Sequence, residues 1–240
     1  MSERGFTLIE MIIAVTLVAA LLLGVFGAIR LAIGTMDRVD SRMLRERRVA
    51  GVEQIMRAEL EGMMPVAARC AGQSDGPGPR VPFFQGEPST MRFVSTYSLS
   101  ERERGLPQIL EFQVIPGENG EGVRLVLNEH IYTGPRSAGA YCAAGAPDAD
   151  TPGPRFIPVE VGSGSFVLAD RLAFCRFEFR EPRYDKDVIP LWFQRWTKPV
   201  LPDAVRIDMA PLHAKSSELD LQTLTVPLRV MRDPLAEYAQ

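Results

Sequence analysis

Residues 5–29 read GFTLIEMIIAVTLVAALLLGVFGAI, and this stretch decides what the rest of the 240-residue chain is attached to. Positions 11–29 carry no charge, and Thr16 is their sole polar side chain. At about 1.5 Å per helical residue, such a run spans close to the hydrocarbon thickness of a bilayer. Glu10 stands at its edge, where an ionised side chain in hydrocarbon costs at least a few kcal/mol. A secretory signal peptide or a plain signal anchor accounts for the apolar run but not for that carboxylate. The flanking Arg4 and Arg30 do not fix an orientation, because Glu3 offsets Arg4 and the following stretch is itself arginine-rich.

Outward from this segment, Leu31, Ile33, Met36, Val39, Met43, Val49, Val52, Met56, Leu60 and Met63 recur at spacings near three and four. That pattern predicts an amphipathic helix continuing the apolar segment, ended by Pro65. A helix over residues 6–64 would be roughly 90 Å long. Arg38, Arg42, Arg45, Arg47 and Arg48 alternate with Glu46, Glu53, Glu59 and Glu61, which reads as a solvated face with local ion pairs. With a net charge of -3 and no zinc-finger spacing or basic tract, nucleic acid is not an expected partner.

Beyond Pro65 the composition changes. Two Gly/Pro-rich loops, around Cys70 and Cys142, separate runs that read as strands: MRFVSTY, ILEFQVI, VRLVLNE, FIPVEV, SFVLAD, LAFCRFEFR, AVRIDM and TLTVPLRVM. PGENGEG between the second and third reads as a hairpin turn. Strands without intervening long helices predict an α+β fold: a long N-terminal transmembrane and stem helix packed on a mainly antiparallel sheet.

The short motif Gly5-Phe6-Thr7-Leu8-Ile9-Glu10, followed directly by the apolar run, resembles the N-terminal signal of type IV prepilins and type II secretion pseudopilins. In those families a membrane peptidase cuts after the glycine and methylates the new terminus. The resemblance therefore implies a leader at residues 1–5, cleavage between Gly5 and Phe6, and N-methylation of Phe6. It divides the chain into a transmembrane helix at 6–29, a stem at 30–64 and a periplasmic domain at 65–240. A terminus at Phe6 would be a cation one helical turn from Glu10 and within reach of a neighbour's Glu10. Pairing the two in low dielectric removes two buried penalties together, which makes Glu10 an assembly residue.

A second resemblance lies in LADRLAFCRFEFREP, Trp192, Trp196 and LPDAVRIDM, which is similar to general secretion pathway protein J, a minor pseudopilin family. It implies a single-pass protein of the bacterial inner membrane that helps form the tip of a periplasmic pseudopilus and drives folded proteins across the outer membrane. Its implied partners are other minor pseudopilins, the major pseudopilin, the prepilin peptidase, the inner-membrane assembly platform and membrane lipid. A minor pilin of a type IV pilus or DNA-uptake filament is the alternative within the class. A signal-anchored periplasmic enzyme or binding protein is the alternative outside it.

Catalytic chemistry finds little support. His130 and His213 are framed by no nucleophile elbow or H-E-x-x-H pattern. Asp148 and Asp150 begin what could be a calcium loop, but Val159 occupies the position of its required glutamate. Asp185 and Asp187 form a second acidic pair, and both pairs read as solvated turns although calcium occurs in some pseudopilins. No cofactor or catalytic residue is assigned. Trp192 and Trp196 read as half-buried aromatics closing the sheet or meeting a partner subunit rather than a ligand-stacking patch.

Three cysteines allow one disulfide plus a thiol, or three thiols. Cys70 and Cys142 lie in the loops. Cys175 alternates with Ala173, Phe177 and Phe179 against Arg176, Glu178 and Arg180, which points it to the core. The expected pair is Cys70–Cys142, with Cys175 a buried thiol.

Overall fold

The computed structural model describes residues 8–70, 80–99, 103–143, 154–183, 189–212, 223–229 and 234–235, with side chains at 31–49, 103 and 104 left undescribed. The chain divides into two units, Met1–Ala50 and Gly51–Gln240. In chain order the elements are α1 (Leu8–Glu61), β1 (Met63–Met64), β2 (Ala67–Arg69), β3 (Arg80–Pro82), β4 (Gln85–Gly86), β5 (Thr90–Ser98), β6 (Glu103–Pro116), β7 (Val123–Ile131), α2 (Pro135–Gly139), β8 (Phe166–Arg180), β9 (Trp192–Phe193), β10 (Ala204–Pro211) and β11 (Leu224–Pro227). A 3-10 turn at Glu118–Gly120 joins β6 to β7.

The fold is α+β, with an N-terminal apolar helix and a mainly antiparallel sheet. The sheet order is β1-β5-β6-β7-β8-β10-β11, with β4 added to β5 and β9 to β8, and β2 and β3 form a separate pair. Every pairing is antiparallel. Period-two alternation in β5, β6 and β7 sends Phe93, Leu110, Phe112, Leu125 and Leu127 to one face, all fully buried. The last turns of α1 pack Val52, Met56 and Leu60 against that face, and Phe177, Phe179, Val205 and Ile207 complete the core. Of the predicted stem stripe, the residues from Leu31 to Val49 lie outside the described side chains, while Val52, Met56, Leu60 and Met63 are buried.

Three local expectations are corrected. The helix ends at Glu61 rather than at Met64, because Met63 and Met64 pair with Ser95 and Val94 as a short edge strand. Thr96 N–H donates to the Gly62 carbonyl (2.9 Å), fixing that exit. FIPVEV is not a strand beyond a single bridge from Phe156 to Cys142. Pro158 has no N–H to give a ladder, and the carbonyls of Ile157 and Glu160 accept side-chain donors instead. SFVLAD and LAFCRFEFR form one bent strand, β8. Arg171 takes φ 54 at the bend, and the register against β10 jumps so that Ala210 pairs with Phe174 but Pro211 with Leu172. One residue drops out of the alternation there, which leaves Ala173 exposed and buries Leu172 in its place.

The bend lets the sheet curl round its core. The first half of β8 pairs with β7, while the second half reaches β4, where Phe177 N–H donates to the Pro88 carbonyl (3.0 Å) and Gly86 bridges Trp196. The β6–β7 hairpin turn sits close to the bend. Gly122 has φ 64, and a Cβ there would lie 2.3 Å from the Leu172 carbonyl oxygen, so both conformation and space demand glycine.

The opposite face of the sheet is also covered. Val94 and Ile109 pack with Val66, Ala68, Phe83 and Ala138 in a second apolar cluster beneath β2, β3 and α2. Gly139 ends α2 so close to Arg69 that a Cβ would lie 2.0 Å from the Arg69 carbonyl oxygen.

Candidate assembly site

Leu8–Arg30 is long and apolar enough to cross a membrane. Its large apolar side chains stand open in the isolated chain, with Leu8 79% and Phe26 69% exposed. Apolar area on this scale is stable only against lipid or other helices. Within it Thr16 is internally satisfied, its hydroxyl donating to the Ile13 carbonyl (2.9 Å). Glu10 falls in the first turn of α1, where the unpaired N–H groups and the positive end of the helix dipole favour a carboxylate. Gly5 and Phe6 lie outside the described residues. One carboxylate is thus carried at the rim of an apolar cylinder.

Among the described residues of the domain, the polar and sulfur-bearing groups are largely committed to the fold. Cys70 and Cys142 are joined in a disulfide with Cα atoms 5.5 Å apart, next to the close Arg69–Gly139 approach. Cys175 is a buried thiol that burial, with Asp208 near it, pushes up to about 12. A thiol so far from ionisation is a small apolar side chain rather than a nucleophile.

The disulfide pins the segment carrying Tyr141 and Phe156 over a buried polar cluster that the sequence reading missed. Arg92 on β5 is fully buried. Its Nε donates to Glu111 Oε1 (2.7 Å), Nη1 to Gln85 Oε1 (2.7 Å) and Nη2 to the Ile157 carbonyl (3.1 Å). Its guanidinium lies 5.1 Å from the Tyr141 ring centroid and 5.5 Å from that of Phe156. Burial, with Glu111 close by, pushes the Tyr141 phenol up. Glu111 also accepts from Asn128 Nδ2 (3.3 Å), and its Oε2 lies 3.1 Å from His130 Nε2. Asn128 ties the cluster to the loop before β8, donating to the Glu160 carbonyl (2.9 Å) and accepting from Ser165 Oγ (2.6 Å). Nearly every group here is bonded to a neighbour within the domain, so the cluster fastens loops to the sheet.

The two tryptophans separate. Trp196 is 7% exposed, and its indole N–H donates to the Val200 carbonyl (2.7 Å). Trp192 is half-buried, with the Arg206 guanidinium 3.9 Å from its ring centroid. Arg206 is tied in turn to Glu178 (3.0 Å). The ring face is thus already occupied by a cation. A surface pocket of about 460 Å³ between β8 and β10 is lined by Phe174, Arg176, Glu178, Gln194, Asp208 and Thr223 among others. Its described lining contains no serine, cysteine or histidine. Among the described residues no three His, Cys, Asp or Glu side chains converge as metal ligands. Asp148, Asp150, Asp185, Asp187 and His213 lie outside the described residues.

Residues 1–26 match the family described as Prokaryotic N-terminal methylation motif. The chain is similar to Type II secretion system protein J of Xanthomonas campestris pv. campestris, 34% identical over 91 residues. Those residues are 38% of this chain and 41% of that protein, so the match spans less than half of the relative. No solved structure matches the chain. An N-terminal methylation motif, a helix able to span a membrane and this similarity together support a protein J-like pseudopilin.

Proposed function

We propose that the chain is a minor pseudopilin of a type II secretion system, held in the inner membrane by α1 and carrying its β-rich domain in the periplasm. The observation that carries the reading is Glu10: one carboxylate in the first turn of a helix whose next nineteen positions are uncharged. After cleavage between Gly5 and Phe6, the methylated amino group of Phe6 pairs with a carboxylate in the membrane. In a bundle of such helices that pairing sets one subunit's offset from the next. The domain supplies surface for neighbouring minor pseudopilins, and the filament they cap pushes folded proteins outward. The protein acts by assembly and performs no catalysis.

The test is Glu10→Ala in cells carrying the whole secretion system. Processing, folding and membrane association are expected to persist, because none of them requires the carboxylate. Crosslinking to the other pseudopilins is expected to fall at least tenfold, the loss of a charge pair worth more than about 1.4 kcal/mol in low dielectric. Unchanged crosslinking to every neighbour would refute the charge-pairing account. Capture of pilus subunits in place of secretion subunits would assign the chain to a pilus.

A further inference from the structure

A second glutamate of α1 is unusual in a different way. Glu59 lies one turn before the helix meets β1, between Ala58 and the core residue Leu60. Its side chain is entirely removed from solvent, and neither carboxyl oxygen has a hydrogen-bond partner. The hydroxyl best placed to help, Ser95 on β5, donates instead to the main-chain carbonyl of Glu59 (3.0 Å). On the same face β6 presents the neutral Gln108, which pairs with Ser95 in the ladder. From β7 the charge bearing on Glu59 is Glu129, of the same sign. Glu129 is itself held as an acceptor by Leu99 N–H (2.5 Å) and Ser98 Oγ (3.3 Å), so it stays beside the helix.

A buried carboxylate with no hydrogen-bond partner and a like charge near it is among the costliest groups a fold can bury; a neutral carboxylic acid there costs far less. We propose that Glu59 is a proton-binding site created by docking of the last turns of α1 on the sheet, so that the domain takes up one proton as it forms and releases it when the helix end leaves. Burial first, and Glu129 second, push this carboxyl up to about 8, against 4.5 for an unperturbed glutamate, with the nearby Ser95 hydroxyl opposing them more weakly. The sign follows from linkage. The docked state binds the extra proton, so its advantage is complete below the unfolded value. It declines as pH rises between the two values and levels off above the upper one. In that window each pH unit shifts the docked–undocked equilibrium tenfold toward release.

The experiment uses the full-length chain in detergent. Urea unfolding is followed from about pH 5 to about pH 8 for the wild type and for Glu59→Gln, which keeps the shape of the neutral acid but cannot ionise. The wild-type unfolding constant is expected to rise by roughly four hundredfold more than that of the variant across this range. Independently of any variant, the carbon-13 resonance of the Glu59 carboxyl in the wild type is expected to titrate well above the ordinary glutamate range. Equal pH slopes for the two proteins, or a Glu59 resonance that titrates near 4.5, would overturn the proposal.

Discussion

Arg92 and Glu111 show what one buried pair contributes to this domain. The guanidinium is sealed between β5, β4 and the loop before β8, and it donates to three separate segments. Replacing it with alanine would leave Glu111 buried with only Asn128 and His130 beside it. A buried charge stripped of its partner costs about 3–5 kcal/mol. Arg92→Ala is therefore expected to lower the unfolding free energy by about that much, read from the urea midpoint at constant slope. The double variant Arg92→Met, Glu111→Leu is expected to recover most of the loss, since an apolar pair of similar volume avoids both desolvation penalties. A single variant within about 0.5 kcal/mol of wild type would mean water reaches the cluster. The sequence did not disclose this pair for a simple reason. Period two separates Arg92 and Glu111 from Phe93 and Leu110, but it does not say whether the second face of a sheet is wet or covered. The cover comes from residues 132–143 and 154–157, which are remote in sequence and carry no periodic signal. Glu59 was hidden differently: among alternating arginines and glutamates it looked like one more solvated charge.

At the scale of elements, the readable ones were those with strong local patterns. The strands β5, β6 and β7, the hairpin PGENGEG, β10 and the apolar helix follow from alternation, turn residues and a long uncharged run. Elements set by tertiary pairing were misread. Met63–Met64 look helical until β5 offers an edge, FIPVEV looks like a strand until Pro158 and the side-chain donors claim its backbone, and the bend in β8 shifts Ala173 out of phase. The disulfide works at this scale, tying the end of β2 to the segment after α2. It closes a loop with a sequence separation of 72. In the chain-entropy picture such a closure stabilises by about 4 kcal/mol through the unfolded state. Cys70→Ser with Cys142→Ser is expected to lower the unfolding free energy by up to that amount while far-ultraviolet circular dichroism stays close to wild type, because the β5–β8 ladder does not depend on it. Loss of the sheet spectrum at low temperature would show instead that the bridge is required for the ladder to form.

At the scale of the whole molecule, the chain joins an apolar helix with one rim carboxylate to a domain whose Arg92–Glu111–Asn128 cluster is turned inward on its own partners. Among the described residues, Arg92, Glu111 and Asn128 serve the fold, and Cys175 is a core side chain. The largest continuous exposed apolar surface among the described residues is that of Leu8–Arg30, with Glu10 at its edge. On the proposed reading this pattern serves assembly in a membrane, and assembly of that kind would depend on a free, cationic terminus at Phe6. Mass spectrometry of the chain extracted from membranes of cells with an active prepilin peptidase reads this directly. The account predicts a mature N-terminus at Phe6 bearing a single methyl group, and accumulation of the uncut chain when Gly5 is replaced by a bulkier residue. A terminus still at Met1, or one created by cleavage beyond about residue 20 as a signal peptidase would leave it, would contradict the account.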